Sequence, residues 1–320
     1  MSVPSSHPPR PLRARRSTLA VPASSDRMIE KAQSLPADEV FLDLEDAVAP
    51  DAKEAARRNA VTALTEGDWQ GKTRVVRIND ATTAWAHRDV VEVVERAGAH
   101  LDCLLLPKVT GPAHVHWLDL LLGQVERAVG LPVGSVGIEA QIEDAAGLLH
   151  VEAVATASPR LEALVFGPAD FMASLAMPSL AVGGLHPDYP GDTYHYALAR
   201  ILVAARAYGL QAVDGPWLAI RDLDGFRAAA RRSRALGYDG KWVVHPGQLD
   251  AANETYAPTQ EEYDNAERIL DAYAHATSTA GGRRGAVLLG EEMVDEASRK
   301  MALVIAARGR AAGLRRTPQE

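Results

Sequence analysis

Eight short apolar runs, with helix-patterned sequence between them, constrain this chain more than any other feature. They cover residues 18–21, 40–44, 74–78, 103–106, 135–142, 163–166, 211–213 and 241–244. The runs are apolar throughout rather than alternating, as strands are when both faces of a sheet are covered. Helical patterns occupy 27–34, 53–64, 88–97, 114–129, 147–157, 194–208 and 223–236. No break in composition divides the series, and neither a Gly-x-Gly-x-x-Gly fingerprint nor a Walker loop occurs. A closed (β/α)8 TIM barrel fits this pattern better than a doubly wound sheet or two domains. The expected layout is a mobile arm over 1–12, the barrel over 13–255, and C-terminal helices over 256–320.

The residues that end each run carry the chemistry. Glu45 and Asp46 follow the second run, Arg77 closes the third, and Lys108 follows the fourth after Pro107. Glu143 and Asp144 follow the fifth, and Asp170 the sixth. In a barrel of parallel strands these positions converge on the C-terminal mouth, where active sites lie. Crowded carboxylates repel one another unless a cation neutralises them. Glu143 and Asp170, on neighbouring strand ends, are candidates for holding Mg2+, leaving about four of its six positions for water and substrate. The competing reading has a carboxylate capping the next helix, a task for which Asp144 is better placed than Glu143. Glu45 and Asp46 either accept hydrogen bonds from water on that cation or cap and salt-bridge the helix that starts near Asp51. A guanidinium at the end of an apolar strand needs an anionic partner. For Arg77 this is a substrate carboxylate or oxyanion, or a structural carboxylate such as Asp46. Lys108 is a weaker candidate for contacting substrate. His114 and His116 fall in an amphipathic helix where positions two apart diverge, and they read as surface residues.

Composition narrows the function classes. With 34 basic against 42 acidic residues the net charge is −8, the opposite of what a protein built to grip nucleic acid carries. Cys103 is the only cysteine; it reads as a core residue, and its solitude excludes disulfide scaffolds, zinc ribbons and internal thiol relays. A reducing, cytoplasmic compartment is expected. No run approaches the roughly 18 apolar residues of a membrane span. Arg10, Arg13 and Arg15 read as a solvated basic tail, whereas Arg16, abutting the first strand, is the better candidate for an anion contact. The stretch at 19–21 is too short for a secretory signal.

Taken together, the motifs resemble the HpcH/HpaI aldolase and citrate lyase β-subunit superfamily. They are Ser17-Thr-Leu-Ala-Val-Pro22, Asp43-Leu-Glu-Asp-Ala-Val48, Arg77-Ile-Asn79, Pro107-Lys108, Ile142-Glu143, Gly167-Pro-Ala-Asp170, Gly240-Lys-Trp242 and His245-Pro-Gly-Gln248. The segments Gln141–Gly147, Phe166–Met172 and Gly290–Met301 look like its malyl-CoA/β-methylmalyl-CoA lyase branch. The resemblance runs from about Arg13 to Gly313.

The resemblance implies a Mg2+-dependent aldol reaction on a coenzyme A thioester, with Mn2+ a possible substitute. Glu143 and Asp170 match the family's metal ligands, and Arg77 its substrate arginine. Asp295 matches a catalytic aspartate on a C-terminal lid that serves the neighbouring subunit of a trimer or hexamer. Spacing alone would make Asp295 a helix N-cap. Arg16, Arg27, Lys31 and Lys108 are the expected substrate and coenzyme A contacts, although Pro22-Ala-Ser-Ser25 departs from the usual Pro-Gly-Ser-Asn of this loop. Reversible cleavage of malyl-, β-methylmalyl- or citramalyl-CoA to glyoxylate or pyruvate plus acetyl- or propionyl-CoA is the implied activity. A malyl-CoA thioesterase on the same site is the nearest alternative, and a non-catalytic acyl-CoA-binding barrel a more distant one.

Overall fold

The computed structural model describes residues 11–317. Most of the expected arm, Arg10 included, lies outside the described residues. Eight parallel strands close into a barrel in chain order. They are β1 (Ser17–Pro22), β2 (Glu39–Asp43), β3 (Thr73–Arg77), β4 (Cys103–Leu106), β5 (Gly137–Ile142), β6 (Leu161–Phe166), β7 (Gln211–Asp214) and β8 (Gly240–Val243). The connecting helices are α1 (Asp26–Ser34), α2 (Lys53–Glu66), α3 (Ala86–Ala97), α4 (Pro112–Val129), α5 (Ala145–Leu149), α6 (Val151–Ala155), α7 (Pro168–Ser174), α8 (His195–Ala207) and α9 (Leu223–Leu236). A last helix, α10 (Leu249–Tyr256), packs beside α9 and completes this unit.

Strand alternation explains why the runs are apolar on both faces. One set of side chains, including Val40, Leu42, Val76, Leu104 and Leu164, packs outward against the helices. The other set fills the barrel with Phe41, Val75, Cys103, Leu105, Val165, Val213 and Trp242. Cys103 is thus a core residue, as expected. The interior is not wholly apolar. Arg77 of β3 and Gln141 of β5 are buried toward the C-terminal ends of their strands, and Glu139 is buried one pleat below Gln141.

The basic tail is a correction. Arg15 is fully buried, its guanidinium within 2.9 Å of Glu39, 2.7 Å of Glu139 and 3.0 Å of Glu162. It also donates to Gln211. Arg13 joins Asp102 and Glu162, each at 2.8 Å. Burying arginine demands this pairing, so the segment before β1 closes the floor of the barrel. Gly240 is required there, because a Cβ would collide with the Arg15 carbonyl. Burial and the neighbouring Glu139 push the Glu39 carboxyl well above the usual range, against the pull of Arg15.

Among the described residues, 257–317 form a second compact unit. It contains α11 (Gln260–Thr277), the antiparallel strands β9 (Val287–Leu289) and β10 (Glu292–Val294), and α12 (Glu296–Ala311). Tyr263 and Ala266 of α11 pack with Ala302 and Ala306 of α12. Thr259 caps α11 through a capping box with Glu262. Among the described residues no helix is long and apolar enough to cross a membrane.

Candidate active site at the barrel mouth

The site is assembled from the ends of β2 to β6. Asp43 is the last residue of β2 and pairs in register with Arg77, the last of β3, so both side chains point into the barrel. The Asp43 carboxylate accepts from Arg77 Nε at 2.7 Å and Nη2 at 2.6 Å, a two-pronged contact that fixes the guanidinium plane. Arg77 Nη1 lies 3.2 Å from Glu45. The guanidinium also sits 5.0 Å from the Trp242 ring centroid and 5.7 Å from that of Phe41. Although burial opposes it, these carboxylates raise the Arg77 pKa, so its charge is permanent. The structural partner of Arg77 is therefore Asp43 with Glu45, and not Asp46.

Lys108 follows β4 and adopts a left-handed conformation, φ 51°, that is rare outside glycine. This turns its N–H onto Glu143, a bond of 2.6 Å to Oε1. Its ammonium donates to Glu45 and lies 3.2 Å from both oxygens of Asp46. Burial opposes the charge, but these partners raise the lysine pKa. Lys108 in turn holds Asp46 low, although partial burial acts the other way. Burial pushes the Glu45 carboxyl up against the pull of Arg77 and Lys108. Glu45 thus bridges two cations, and Asp46 pairs with Lys108. The helix-capping alternative for them is not what the fold contains: Lys53 instead bonds the backbone carbonyls of Leu44 and Glu45.

Glu143 is almost completely buried just past β5, and Gln141 Nε2 donates to its other oxygen. Gly167 makes room for it, since a Cβ there would lie 2.5 Å from Glu143 Cβ and 2.6 Å from Oε2. Burial, reinforced by the charge of Asp170, pushes the Glu143 carboxyl up to about 8. Asp170, in the first turn of α7, is the solvent-facing member of the pair, and its Oδ2 lies 4.0 Å from Lys108 Nζ. Asp144 caps α5 by accepting from Gly147 N, which leaves Glu143 free of that task. Glu143, Asp144, Asp170 and Lys108 line one cleft of about 330 Å³.

Mg2+ is the cation these residues suit. A buried carboxylate whose charge is disfavoured until a cation arrives, facing a second carboxylate across an open cleft, is a hard-oxygen donor pair. Among the described residues no group of three or more His, Cys, Asp or Glu is placed to hold a metal by protein ligands alone.

The remaining expected residues fall elsewhere. Arg16 precedes β1, so it belongs to the floor, not the mouth, and its guanidinium is held by Asp38 at 2.7 and 2.8 Å. That corrects its assignment as a substrate contact. Arg27 and Lys31 are exposed on α1, one turn apart, with no ion-pair partner among the described residues. Asp295, in the C-terminal unit, is the N-cap of α12. Its Oδ1 accepts from Ala297 N at 2.9 Å and Ser298 N at 3.0 Å, and these bonds, Ser298 first, hold its carboxyl below the usual range. Oδ2 has no hydrogen-bond partner among the described residues. Sequence reasoning missed Asp43 and Gln141, the groups that orient Arg77 and Glu143; their signal was an inward position one row from a charged strand end. His114 also differs from expectation. It lines the cleft, whereas His116 is exposed.

Comparison with known proteins places the chain in a family. The family model described as HpcH/HpaI aldolase/citrate lyase matches residues 16–246. An L-malyl-CoA/β-methylmalyl-CoA lyase of Cereibacter sphaeroides is 42% identical over 307 residues, covering 93% of this chain and 95% of the relative. A (3S)-malyl-CoA thioesterase of the same species is 37% identical over 261 residues, covering 82% and 84%. Among solved structures, a protein CitE from Mycobacterium tuberculosis in complex with magnesium, acetoacetate and coenzyme A aligns with TM-score 0.70 and 29% identity, covering 92% of this chain and 97% of that one. By the family model that it matches and its identity to these relatives, the chain belongs to the HpcH/HpaI aldolase/citrate lyase family.

Proposed function

We propose that the protein is a Mg2+-dependent carbon–carbon lyase of malyl-type coenzyme A thioesters. It cleaves malyl-, β-methylmalyl- or citramalyl-CoA reversibly to glyoxylate or pyruvate plus acetyl- or propionyl-CoA. The observation that carries this reading is the pairing of Glu143 and Asp170 in one cleft beside the permanently charged Arg77.

Glu143 and Asp170 would hold the cation. When bound, Mg2+ supplies Lewis-acid polarisation of the 2-oxo acid and a template for its carboxylate. In the condensation direction Asp295 Oδ2 takes a proton from the carbon next to the thioester carbonyl. The carbon–carbon bond forms at the carbonyl carbon of the oxo acid, and the resulting alkoxide takes a proton from solvent. Arg77, locked by Asp43, stabilises the negative charge of that step without reorganising, worth about 3 kcal/mol for a preorganised donor of this type. In cleavage Asp295 returns its proton to carbon. Glu45, Asp46 and Lys108 form the charge network around the cation, and Arg27 and Lys31 are the exposed cations available to coenzyme A phosphates.

Asp295 serves the barrel of a neighbouring subunit in a homotrimer or homohexamer. The exposed apolar side chains of Leu288, Met293, Met301 and Val304 in the same unit support a protein partner there. A panel of malyl-, β-methylmalyl- and citramalyl-CoA, with products identified by mass, tests the activity and ranks the substrates. The thioesterase relative keeps a second reading in view, in which water attacks the thioester carbonyl. Free hydroxy acid and coenzyme A as the initial products would establish it.

A further inference from the structure

Asp214, the last residue of β7, and Lys241 of β8 form a buried ion pair that takes no part in the chemistry at the mouth. The two are register partners, and their charged groups meet at 2.6 Å. Their strand neighbours Val213 and Trp242 fill the barrel. By alternation Asp214 and Lys241 therefore face the helices, and the ammonium lies 6.0 Å from the Phe226 ring of α9. Neither residue lines the cleft. Stability alone does not account for such a pair, because replacing a buried ion pair by apolar groups of similar volume is often neutral or stabilising. What the pair holds in place is more specific.

Lys241 donates to Asp214 Oδ2, and Asp214 Oδ1 accepts from Gly215 N at 2.8 Å, so the ammonium fixes the carboxylate and the carboxylate fixes the turn. Gly215 packs directly on Pro168, the first residue of α7. A Cβ at Gly215 would lie 2.2 Å from Pro168 Cδ and 2.6 Å from the Phe166 carbonyl oxygen. No side chain caps α7, and Pro168 has no N–H to donate. On this side the start of the helix is thus set by contact rather than by a hydrogen bond. On the other side Gly167 N donates to the Ile142 carbonyl of β5 at 3.0 Å, and Gly167 abuts Glu143. The first turn of α7, which carries Asp170, is held between the ends of β5 and β7. Resting on the reading of Glu143 and Asp170 as the Mg2+ pair, we propose that Asp214 and Lys241 are positioning residues for the metal site, acting through Gly215 and Pro168 to set Asp170 opposite Glu143.

The test is calorimetric titration of the full chain with MgCl2. Combining Asp214→Leu with Lys241→Met replaces the pair by apolar groups, so the urea midpoint should move little. Mg2+ affinity should nevertheless fall about tenfold, the low end of what losing a residue that orients a metal ligand costs. Gly215→Ala keeps the ion pair but presses on Pro168, and it should weaken Mg2+ by a similar factor; it reads the same path should the double variant fail to fold. In an Asp170→Asn background, neither change should lower the residual Mg2+ affinity further, because the residue they act through is gone. A role confined to stability would move the urea midpoint and leave this coupling at zero. Wild-type Mg2+ affinity in Gly215→Ala or in the folded double variant overturns the proposal, as does a loss that persists undiminished alongside Asp170→Asn. Failure of the metal reading looks different: Asp170→Asn alone then binds Mg2+ as wild type does.

Discussion

Replacing Glu143 by Gln keeps a side chain of the same shape in the same buried place but removes the carboxylate that a cation needs. The size of the effect follows from the proton Glu143 holds. With its carboxyl near 8, most metal-free molecules at pH 7 carry that proton, and Mg2+ enters only as it leaves. Apparent Mg2+ affinity should therefore be lower than its high-pH plateau by about tenfold at pH 7 and about a hundredfold at pH 6, or about 1.4 kcal/mol per unit. The folded-state value lies above the ordinary 4.5, so this group stabilises the metal-free protein fully below pH 4.5 and ceases to do so as the pH rises through 8. Added Mg2+ should restore stability in the upper part of that window. Calorimetric titration with MgCl2 at pH 6, 7 and 8, with thermal melts in parallel, reads both effects. Glu143→Gln should bind weakly with little pH dependence. Wild-type affinity that is flat with pH, or a Gln variant that binds like wild type, would refute the assignment of Glu143.

Other consequences separate the roles of neighbouring groups. Asp43→Asn removes one charged partner of Arg77, and kcat should fall about a hundredfold with little change in Mg2+ affinity, the scale of a lost preorganised donor. Asp295→Asn keeps an N-cap of similar strength, so unfolding should be nearly unchanged while exchange of the acetyl-CoA methyl protons is abolished; normal exchange would remove Asp295 as the base. Arg15→Met leaves Glu39 and Glu139 buried without their cation, and Glu162 with Arg13 alone, and should cost about 3–5 kcal/mol in urea unfolding. Glu39→Gln should be mild by comparison, because burial and Glu139 already oppose the charge of that carboxyl, and it should flatten the decline in stability that Glu39 imposes as pH rises above the ordinary carboxylate range.

What could be read from the chain beforehand follows from the range of the interactions involved. Each strand of the barrel was visible because burial on both faces leaves continuous apolar runs, and Arg77, Glu143 and Asp170 were visible because they interrupt such runs where a mouth must lie. Arg13 and Arg15 were misread because their partners are distant in sequence: Arg15 meets Glu139 and Glu162, 124 and 147 residues away. Local composition there, rich in proline and arginine, looks like a tail. Asp43 was hidden for a related reason. An acidic residue at the end of a strand looks like part of the turn until the register sets it beside Arg77. His114 followed a helical pattern that identifies the core-facing side of α4, but not that its first turn borders the cleft. The short helix α7 was absorbed into the Gly167–Asp170 motif, so Asp170 was recognised as a candidate without the element that carries it.

The central claim is that this barrel breaks a carbon–carbon bond in a Mg2+-dependent way. The most direct measurement incubates the protein with malyl-CoA, with Mg2+ or with a chelator, and identifies the first products by mass. Glyoxylate and acetyl-CoA in equal amounts, formed with Mg2+ and lost on chelation, are the predicted result. Malate and free coenzyme A as first products, or cleavage indifferent to chelation, would contradict it.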